Sequence, residues 1–210
     1  WKYFSPDPDK PLNIYKPTDW PAIWRNGHYA KWNLKNYDKW LDSDVRHARH
    51  ALAIDEQRAN FPRVKWAMRA EAEKTIGRQP AWLKQVWFAG CHSDVGGSYP
   101  EPESRLSDIA LQWMVDEFRE CVSDVQINDD MLHIMPDPKG MQHEETYMFE
   151  FGPIKRRWPV KPREVVSFFE LHPSVKERLD AELVSHVGEM RPYRPKGLKD
   201  HPKAKGYFDE

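Results

Sequence analysis

Hydrophobic residues are concentrated in two segments that follow one another along the 210-residue chain. Residues 86–89 form a short apolar run that ends at Gly90, a pattern typical of a buried strand. Between residues 106 and 121 the apolar side chains recur every three or four positions, which predicts an amphipathic helix with Trp113 and Met114 on its inward side. The sequence therefore predicts a strand, a turn and a helix in this order.

Weaker patterns predict four further elements. In chain order they are a helix over residues 43–54, a strand over 61–66, a strand over 164–171 and a helix over 174–188. The first helix would place His47 and His50 at i,i+3 spacing, where a metal site is geometrically possible. Since no third ligand at suitable spacing accompanies them, we expect no metal site.

The distribution of turn-forming and aromatic residues predicts four segments along the chain. Residues 1–41 are rich in proline and aromatic side chains, which predicts a long irregular insertion or lid-like segment packed by its own side chains. Residues 42–125 contain the main strand and helix pattern, and residues 126–190 are expected to extend the same domain at its periphery. The proline- and lysine-rich residues 191–210 predict a flexible tail.

His92 lies two residues beyond the apolar run, in the segment Gly90-Cys91-His92-Ser93-Asp94-Val95-Gly96-Gly97. A buried strand fixes the base of such a loop, and glycines let it turn tightly enough to direct one side chain into a pocket. Histidine is suited to proton transfer because its ordinary pKa lies near neutrality. The alternative is that His92 only bonds to backbone in a strand-to-helix turn.

Composition restricts the classes of function. Hydrophobic and charged residues make up 40% and 31% of the chain, as in a soluble protein with a moderate core. The net charge of −1 argues against a nucleic-acid-binding surface, and no apolar run approaches the roughly 20 residues that span a bilayer. The two cysteines are too few for a disulfide scaffold, so a reducing compartment is the default. The helical stripe is interpreted as core packing, and no cofactor is expected.

Three blocks of sequence carry a more specific signal. They are Arg46-His47-Ala48-Arg49-His50-Ala51-Leu52-Ala53-Ile54-Asp55-Glu56-Gln57-Arg58, then Val86-Trp87-Phe88-Ala89-Gly90-Cys91-His92-Ser93-Asp94-Val95-Gly96-Gly97-Ser98-Tyr99, and last His172-Pro173-Ser174-Val175 with Tyr193-Arg194-Pro195. Together they resemble the α/β-hydrolase domains of phospholipase effectors of the type VI secretion system. The second block is the most specific, although Ser98 stands where the family usually has glycine.

The resemblance implies the carboxy-terminal portion of an α/β-hydrolase fold with long irregular aromatic- and proline-rich insertions. It also implies a Ser-Asp-His triad whose histidine corresponds to His92. Neither a Gly-x-Ser-x-Gly elbow nor a Trp-Asp-Thr-Val-like strand end occurs in the sequence, and triad order in this fold is Ser, Asp, His. We therefore expect a fragment of a longer hydrolase that contributes the histidine and is inactive on its own.

Three other side chains, Asp55, Asp94 and Cys91, are candidates for a catalytic role. Asp55 could be the triad acid, but pairing with Arg58 or capping of backbone near a helix end is favoured. Asp94 is expected to bond backbone amides in an Asx-type turn. Because adjacent residues usually point in different directions, a dyad of Cys91 and His92 is not expected.

The favoured function is therefore serine-dependent hydrolysis of a carboxylic ester, with a phospholipid or another ester as the substrate implied by the resemblance. The alternative is a non-catalytic remnant that binds a partner or a membrane. The resemblance also implies an immunity protein or the secretion apparatus as partners, whereas no nucleic acid is expected. The chain is expected to be soluble, either cytoplasmic or delivered by a secretion system.

Overall fold

The computed structural model describes residues 16–21, 40–41, 44–59, 61, 66–68, 82–151 and 154–208. The chain divides into two compact units, Trp1–Trp40 and Leu41–Glu210. In the first unit the described segment contains a 3-10 helix at Pro17–Asp19. Most of the insertion predicted over residues 1–41, and most of the strand predicted over 61–66, lie outside the described residues.

The second unit contains both strands and helices. The strands are β1 (Trp40–Leu41, which begins at the last residue of the first unit), β2 (Ala48–Ala53), β3 (Ala67–Met68), β4 (Leu83–Phe88), β5 (Tyr147–Phe151), β6 (Ile154–Arg157), β7 (Glu170–Leu171), β8 (Val184–His186) and β9 (Glu189–Arg191). The α-helices are α1 (His92–Gly96), α2 (Arg105–Cys121) and α3 (Pro173–Asp180). Short 3-10 helices lie at Glu101–Glu103, Asp129–Met131, Lys196–Leu198 and Lys205–Tyr207.

The sheet that positions the site is parallel, with β4 between β2 and β7. β2 and β4 pair over six residues each, from Ala48 opposite Leu83 to Ala53 opposite Phe88. Helices combined with a parallel sheet agree with the predicted α/β class. Because parallel strands end at the same edge, the residues that follow β2 and β4 lie close together there.

The predicted strand around residues 86–89 is confirmed, and both of its faces are buried. Trp87 is fully buried in one cluster with Leu52 and Val175, whereas Phe88 packs in a second cluster with Ile109. A strand covered on both faces needs apolar side chains at consecutive positions. This explains the continuous apolar run in the sequence.

Helix α2 agrees with the predicted boundaries to within one residue at its start and ends where predicted. Leu106 and Ile109 are buried against the sheet, and the rings of Trp113 and Phe88 lie 5.4 Å apart. Glu117 is also buried. Its carboxylate accepts hydrogen bonds from Arg49 and Lys84, which offset the cost of burying its charge. No helix among the described residues is long and apolar enough to cross a bilayer.

The helix predicted over residues 43–54 is wrong, since Ala48–Ala53 within this segment form β2. Its alanines and leucine favour a helix in isolation. Parallel pairing with β4 prevails because it buries Leu52 and Ala53 on opposite faces of the sheet. The local sequence pattern could not predict this strand, because its pairing partner lies about 35 residues away in sequence.

The carboxy-terminal predictions need three corrections. The strand predicted over residues 164–171 is restricted to β7, and the helix predicted over 174–188 ends with α3 at Asp180. Gly188 lies instead in the turn that joins β8 to β9, with a φ of 78°. Residues 191–208 are packed rather than extended as a free tail, because Leu198 and Ala204 are fully buried in the core.

Candidate active site

The turn after β4 carries the predicted catalytic histidine. Gly90 has a φ of 111°, and a Cβ there would lie 2.4 Å from the Cβ of Asp94. Glycine satisfies both constraints because it lacks a Cβ. The chain then enters α1, with Cys91 as the N-cap and His92 as the first helical residue. His92 therefore begins a one-turn helix, where the sequence predicted a loop.

Two carboxylates hold the backbone of this turn. Asp55, which follows β2, accepts the N–H of Gly90 at 2.8 Å. Asp94, which is 2% exposed, accepts the N–H of Cys91 at 2.9 Å. The predicted bonding of Asp94 to backbone is thus confirmed, although Asp94 forms a capping box with Cys91 and not the predicted Asx-type turn. Consecutive peptide groups are fixed from two sides immediately before His92.

Asp55 makes contacts that the sequence predicted only in part. Its carboxylate also accepts the hydroxyl of Tyr193 at 2.8 Å. The predicted pairing with Arg58 is wrong, because Arg58 binds Glu56 at 2.7 Å. Burial raises the pKa of Asp55, an effect opposed by the N–H of Gly90 and the hydroxyl of Tyr193.

The imidazole of His92 is exposed at a cleft of about 590 Å³. The walls of the cleft come from β2, α1, α2 and an aromatic pair, and include His50, Leu52, Phe61, Trp66, Leu111 and Met114. The ring centroids of His92 and Phe61 are 5.8 Å apart. Within the part of the chain that the structure describes, neither imidazole nitrogen of His92 has a hydrogen-bond partner.

Besides the two histidines, four polar or charged side chains line the cleft among the described residues: Arg49, Ser107, Asp108 and Arg163. The hydroxyl of Ser107 lines it but donates to the carbonyl of Ser104 at 2.8 Å. Arg163 donates to the carbonyls of Ala53 at 3.3 Å and Phe61 at 2.6 Å. A mostly apolar cleft with a few polar groups and an accessible imidazole is suited to an ester with an apolar chain.

A second histidine, His143, was missed by the sequence analysis. Its Nδ1 lies 2.7 Å from Oδ1 of Asp94, and its main-chain N–H donates to Oδ2 of Asp94 at 3.0 Å. Its Nε2 lies 3.3 Å from Glu103, and Tyr99 stacks on the ring with centroids 3.5 Å apart. His143 therefore reaches the helix that carries His92 through Asp94. No local motif could reveal it, because 49 positions separate it from Asp94.

Cys91 is directed away from the cleft. Its side chain is buried, with Sγ 3.7 Å from the hydroxyl oxygen of Tyr99. Burial and the nearby carboxylate of Asp94 raise the pKa of the Cys91 thiol, so the nucleophilic thiolate is strongly disfavoured. These contacts agree with the expectation that Cys91 and His92 do not form a dyad.

The histidine pair considered as metal ligands has a different geometry from the one expected. His47 is exposed ahead of β2, whereas His50 on β2 stacks on Trp66 with centroids 4.2 Å apart. Burial lowers the pKa of His50, and its Nδ1 lies 3.3 Å from Oε1 of Gln85. Among the described residues, no group of three or more histidine, cysteine, aspartate or glutamate side chains is placed to hold a metal ion.

Comparison with protein families gives a match to the catalytic domain of the Tle1-like phospholipase effectors of the type VI secretion system, over residues 17–117. The match supports the predicted resemblance to this family. It includes β2, β4, α1 with His92, and most of α2. No curated protein and no solved structure matches the chain.

The family indicates a lipase-like hydrolase and implies a lipid substrate. The matched residues also contain the apolar cleft side chains contributed by β2 and α2. The family match and the geometry of the cleft therefore point to the same class of substrate.

Proposed function

We propose that this chain forms the carboxy-terminal part of an α/β-hydrolase and supplies His92 as the histidine of a Ser-Asp-His triad. The family match supports this, because it covers the segment that corresponds to the histidine of the family. The exposed imidazole at the end of a buried parallel strand supports it further. In this proposal, the serine and aspartate come from residues outside the 210-residue sequence, which has no Gly-x-Ser-x-Gly elbow.

In the proposed reaction, His92 accepts the proton of the serine hydroxyl as the serine oxygen attacks the ester carbonyl. The protonated imidazole then donates that proton to the leaving alcohol, which breaks the ester bond. His92 next accepts a proton from the water that attacks the acyl-enzyme, and it donates this proton to the serine oxygen as the acyl–serine bond breaks and the carboxylic acid is released. This role requires a nitrogen that is free to exchange a proton, and the absence of a hydrogen-bond partner for His92 among the described residues meets that requirement.

The cleft beside His92 is the proposed site for the acyl chain. Leu52, Leu111 and Met114 provide apolar surface, and the aromatic rings of Phe61 and Trp66 complete the lining. Burial of a chain in such a cleft is favourable by about 0.8 kcal/mol for each CH₂ group. A cleft of about 590 Å³ lies in the range typical of small-molecule sites.

The decisive experiment is substitution of His92 in the natural gene product. His92→Ala is expected to lower turnover of a phospholipid acyl ester by a factor of about ten thousand, as expected when a triad member is removed. The thermal unfolding temperature should be unchanged, because His92 is exposed. The matched control is His47→Ala, which removes another exposed histidine and should leave turnover within about twofold.

The alternative, a non-catalytic remnant that binds a partner or a membrane, makes the opposite prediction. It requires a natural gene product without ester hydrolysis, whether or not His92 is present. The 210-residue chain alone is expected to show no turnover of short-chain nitrophenyl esters under either proposal. Turnover by this chain that is lost in Cys91→Ser but retained in His92→Ala would instead indicate a thiol mechanism.

A further inference from the structure

A second concave site lies beside the β8–β9 hairpin and shares Arg163 with the lining of the His92 cleft. It has a volume of about 350 Å³ and is bounded by the hairpin and the segment that follows it. Its lining includes four permanently cationic side chains, Arg163, Arg191, Arg194 and Lys196. Neither the triad proposal nor the family match assigns a role to this basic pocket.

Among the described residues, more cationic than anionic side chains line the basic pocket. Asp55 is its one acidic lining residue within the described part of the chain. The carboxylate of Asp55 is already bound by the N–H of Gly90 and the hydroxyl of Tyr193. Among the described residues, neither Arg191 nor Lys196 has a hydrogen bond or an ion pair through its side chain. Two cations at the pocket therefore retain their full bonding capacity.

Arg194 is positioned more rigidly than these two. Its Nη1 donates to the carbonyls of Leu179 at 3.0 Å and Tyr193 at 2.9 Å. Its guanidinium carbon lies 5.4 Å from the centroid of the Tyr207 ring. These contacts fix the guanidinium while its other nitrogens remain available to a ligand. His186, at the same pocket, has its pKa lowered by burial and by the charge of Arg191.

We propose that the basic pocket is a binding site for a phosphate ester. A phosphate group presents several acceptor oxygens in a geometry that guanidinium groups bind with paired hydrogen bonds, and lysine adds a point charge. An excess of cations over carboxylates suits an anion that carries one or two negative charges. The site stands on its own contacts and does not depend on the catalytic role of His92.

The phosphate could belong to a lipid headgroup or to a soluble ester. The surface beside the pocket has features that favour a lipid headgroup. Val187 and Met190 on the hairpin are 53% and 60% exposed. Val187 also has a φ of 47°, an unusual conformation for a β-branched residue. Exposed apolar side chains next to cations are typical of protein surfaces that contact anionic lipid.

The test is calorimetric titration of the 210-residue protein with inorganic phosphate and with glycerol 3-phosphate at constant ionic strength. The double variant Arg191→Gln/Lys196→Gln should weaken binding by about tenfold or more, because each substitution removes a charged hydrogen-bond donor. The control variant Lys199→Gln/Lys203→Gln removes the same charge outside the pocket and should change binding by less than about twofold. Thermal melts establish that both variants are folded.

Vesicle sedimentation identifies the source of the phosphate. If the ligand is a lipid headgroup, vesicles containing phosphatidylglycerol should bind the protein and pure phosphatidylcholine vesicles should not. That binding should be lost in Arg191→Gln/Lys196→Gln and weakened in Met190→Ser, which should leave phosphate titration unchanged. Phosphate binding without vesicle binding would assign a soluble phosphate ester and would still support the pocket. No binding of either phosphate probe, or equal weakening in the control variant, would overturn the proposal.

Discussion

His92 is the first residue of α1 and His143 contacts Asp94 of the same helix, but the surroundings of the two imidazoles differ. His92 is exposed at an apolar cleft and has no hydrogen-bond partner among the described residues. His143 contacts Asp94 through one ring nitrogen and Glu103 through the other, and Tyr99 covers one face of its ring. An imidazole that must exchange protons with a substrate needs an accessible nitrogen, which only His92 of these two provides.

This difference shows that contact with a carboxylate is not enough to identify a catalytic histidine. The pair of Asp94 and His143 resembles the acid and histidine of a triad in its 2.7 Å contact alone. Asp94, however, also accepts the N–H groups of Cys91 and His143. Its carboxylate thus joins the start of α1 to the segment around residue 143. His143, which contacts Asp94 and Glu103, holds the turn, and the exposed His92 is the histidine that we propose for catalysis.

The largest effect on stability is expected for Asp94→Ala. The change leaves the N–H groups of Cys91 and His143 without their buried acceptor and removes the partner of the His143 ring. We expect a loss of about 3 kcal/mol or more in the free energy of unfolding, measured with urea. Asp124→Ala, at an exposed position, is the matched control and should change stability by less than about 0.5 kcal/mol. Equal losses in the two variants would remove Asp94 from its proposed structural role.

His143 is expected to have a smaller effect on stability. His143→Ala removes contacts with Asp94, Glu103 and Tyr99 and should lower the free energy of unfolding by about 1–3 kcal/mol. His143→Asn should recover part of this loss, because its amide can donate to Asp94 from a position close to that of Nδ1. His133→Ala, at an exposed histidine, serves as the control. A His143→Asn variant no more stable than His143→Ala would argue against the contact with Asp94.

The smallest expected effect is the dependence of the unfolding free energy on pH. Burial lowers the pKa of His50, His172, His186 and His201. Their neutral forms stabilise the fold above a pH of about 6.5, and this contribution is lost as the pH falls through their lowered pKa values. The raised pKa of Asp55 acts in the opposite direction, because its ionised form costs stability at neutral pH and protonation removes that cost.

Unfolding free energies measured between about pH 8 and pH 5 should therefore fall as the pH is lowered, by on the order of 1–2 kcal/mol. Asp55→Asn should make this fall steeper, because it removes the opposing contribution and retains an oxygen that can accept from Gly90 and Tyr193. Identical pH profiles for the variant and the unmodified protein would show that Asp55 does not titrate as described.

The best-defined elements could be predicted because their burial is visible locally. The apolar run of β4 and the helical periodicity of α2 each reflect the faces that these elements bury. β2 could not be predicted, because an alanine-rich segment favours a helix until a distant strand pairs with it. The packing of Leu198 and Ala204 was missed for a related reason, since a composition rich in proline and lysine conceals two well-placed core residues.

The sequence predicted the motif that carries His92, but it did not predict the residues that hold this turn in place. Glycines around His92 and the apolar strand before it indicate a side chain placed at the end of a strand. The partners that hold the turn come from far along the chain, with Asp55 35 positions before Gly90 and Tyr193 138 positions after Asp55. Contacts over such separations depend on the topology of the sheet, which no single segment encodes.

The most direct test measures kcat/KM for a phospholipid ester and the thermal unfolding temperature in His92→Ala and His143→Ala, both made in the natural gene product. If His92 is the general base, His92→Ala lowers kcat/KM by about ten thousand-fold with an unchanged unfolding temperature. His143→Ala then lowers the unfolding temperature and reduces kcat/KM by no more than about tenfold. A ten thousand-fold loss in a well-folded His143→Ala, together with near-normal turnover in His92→Ala, would contradict the account.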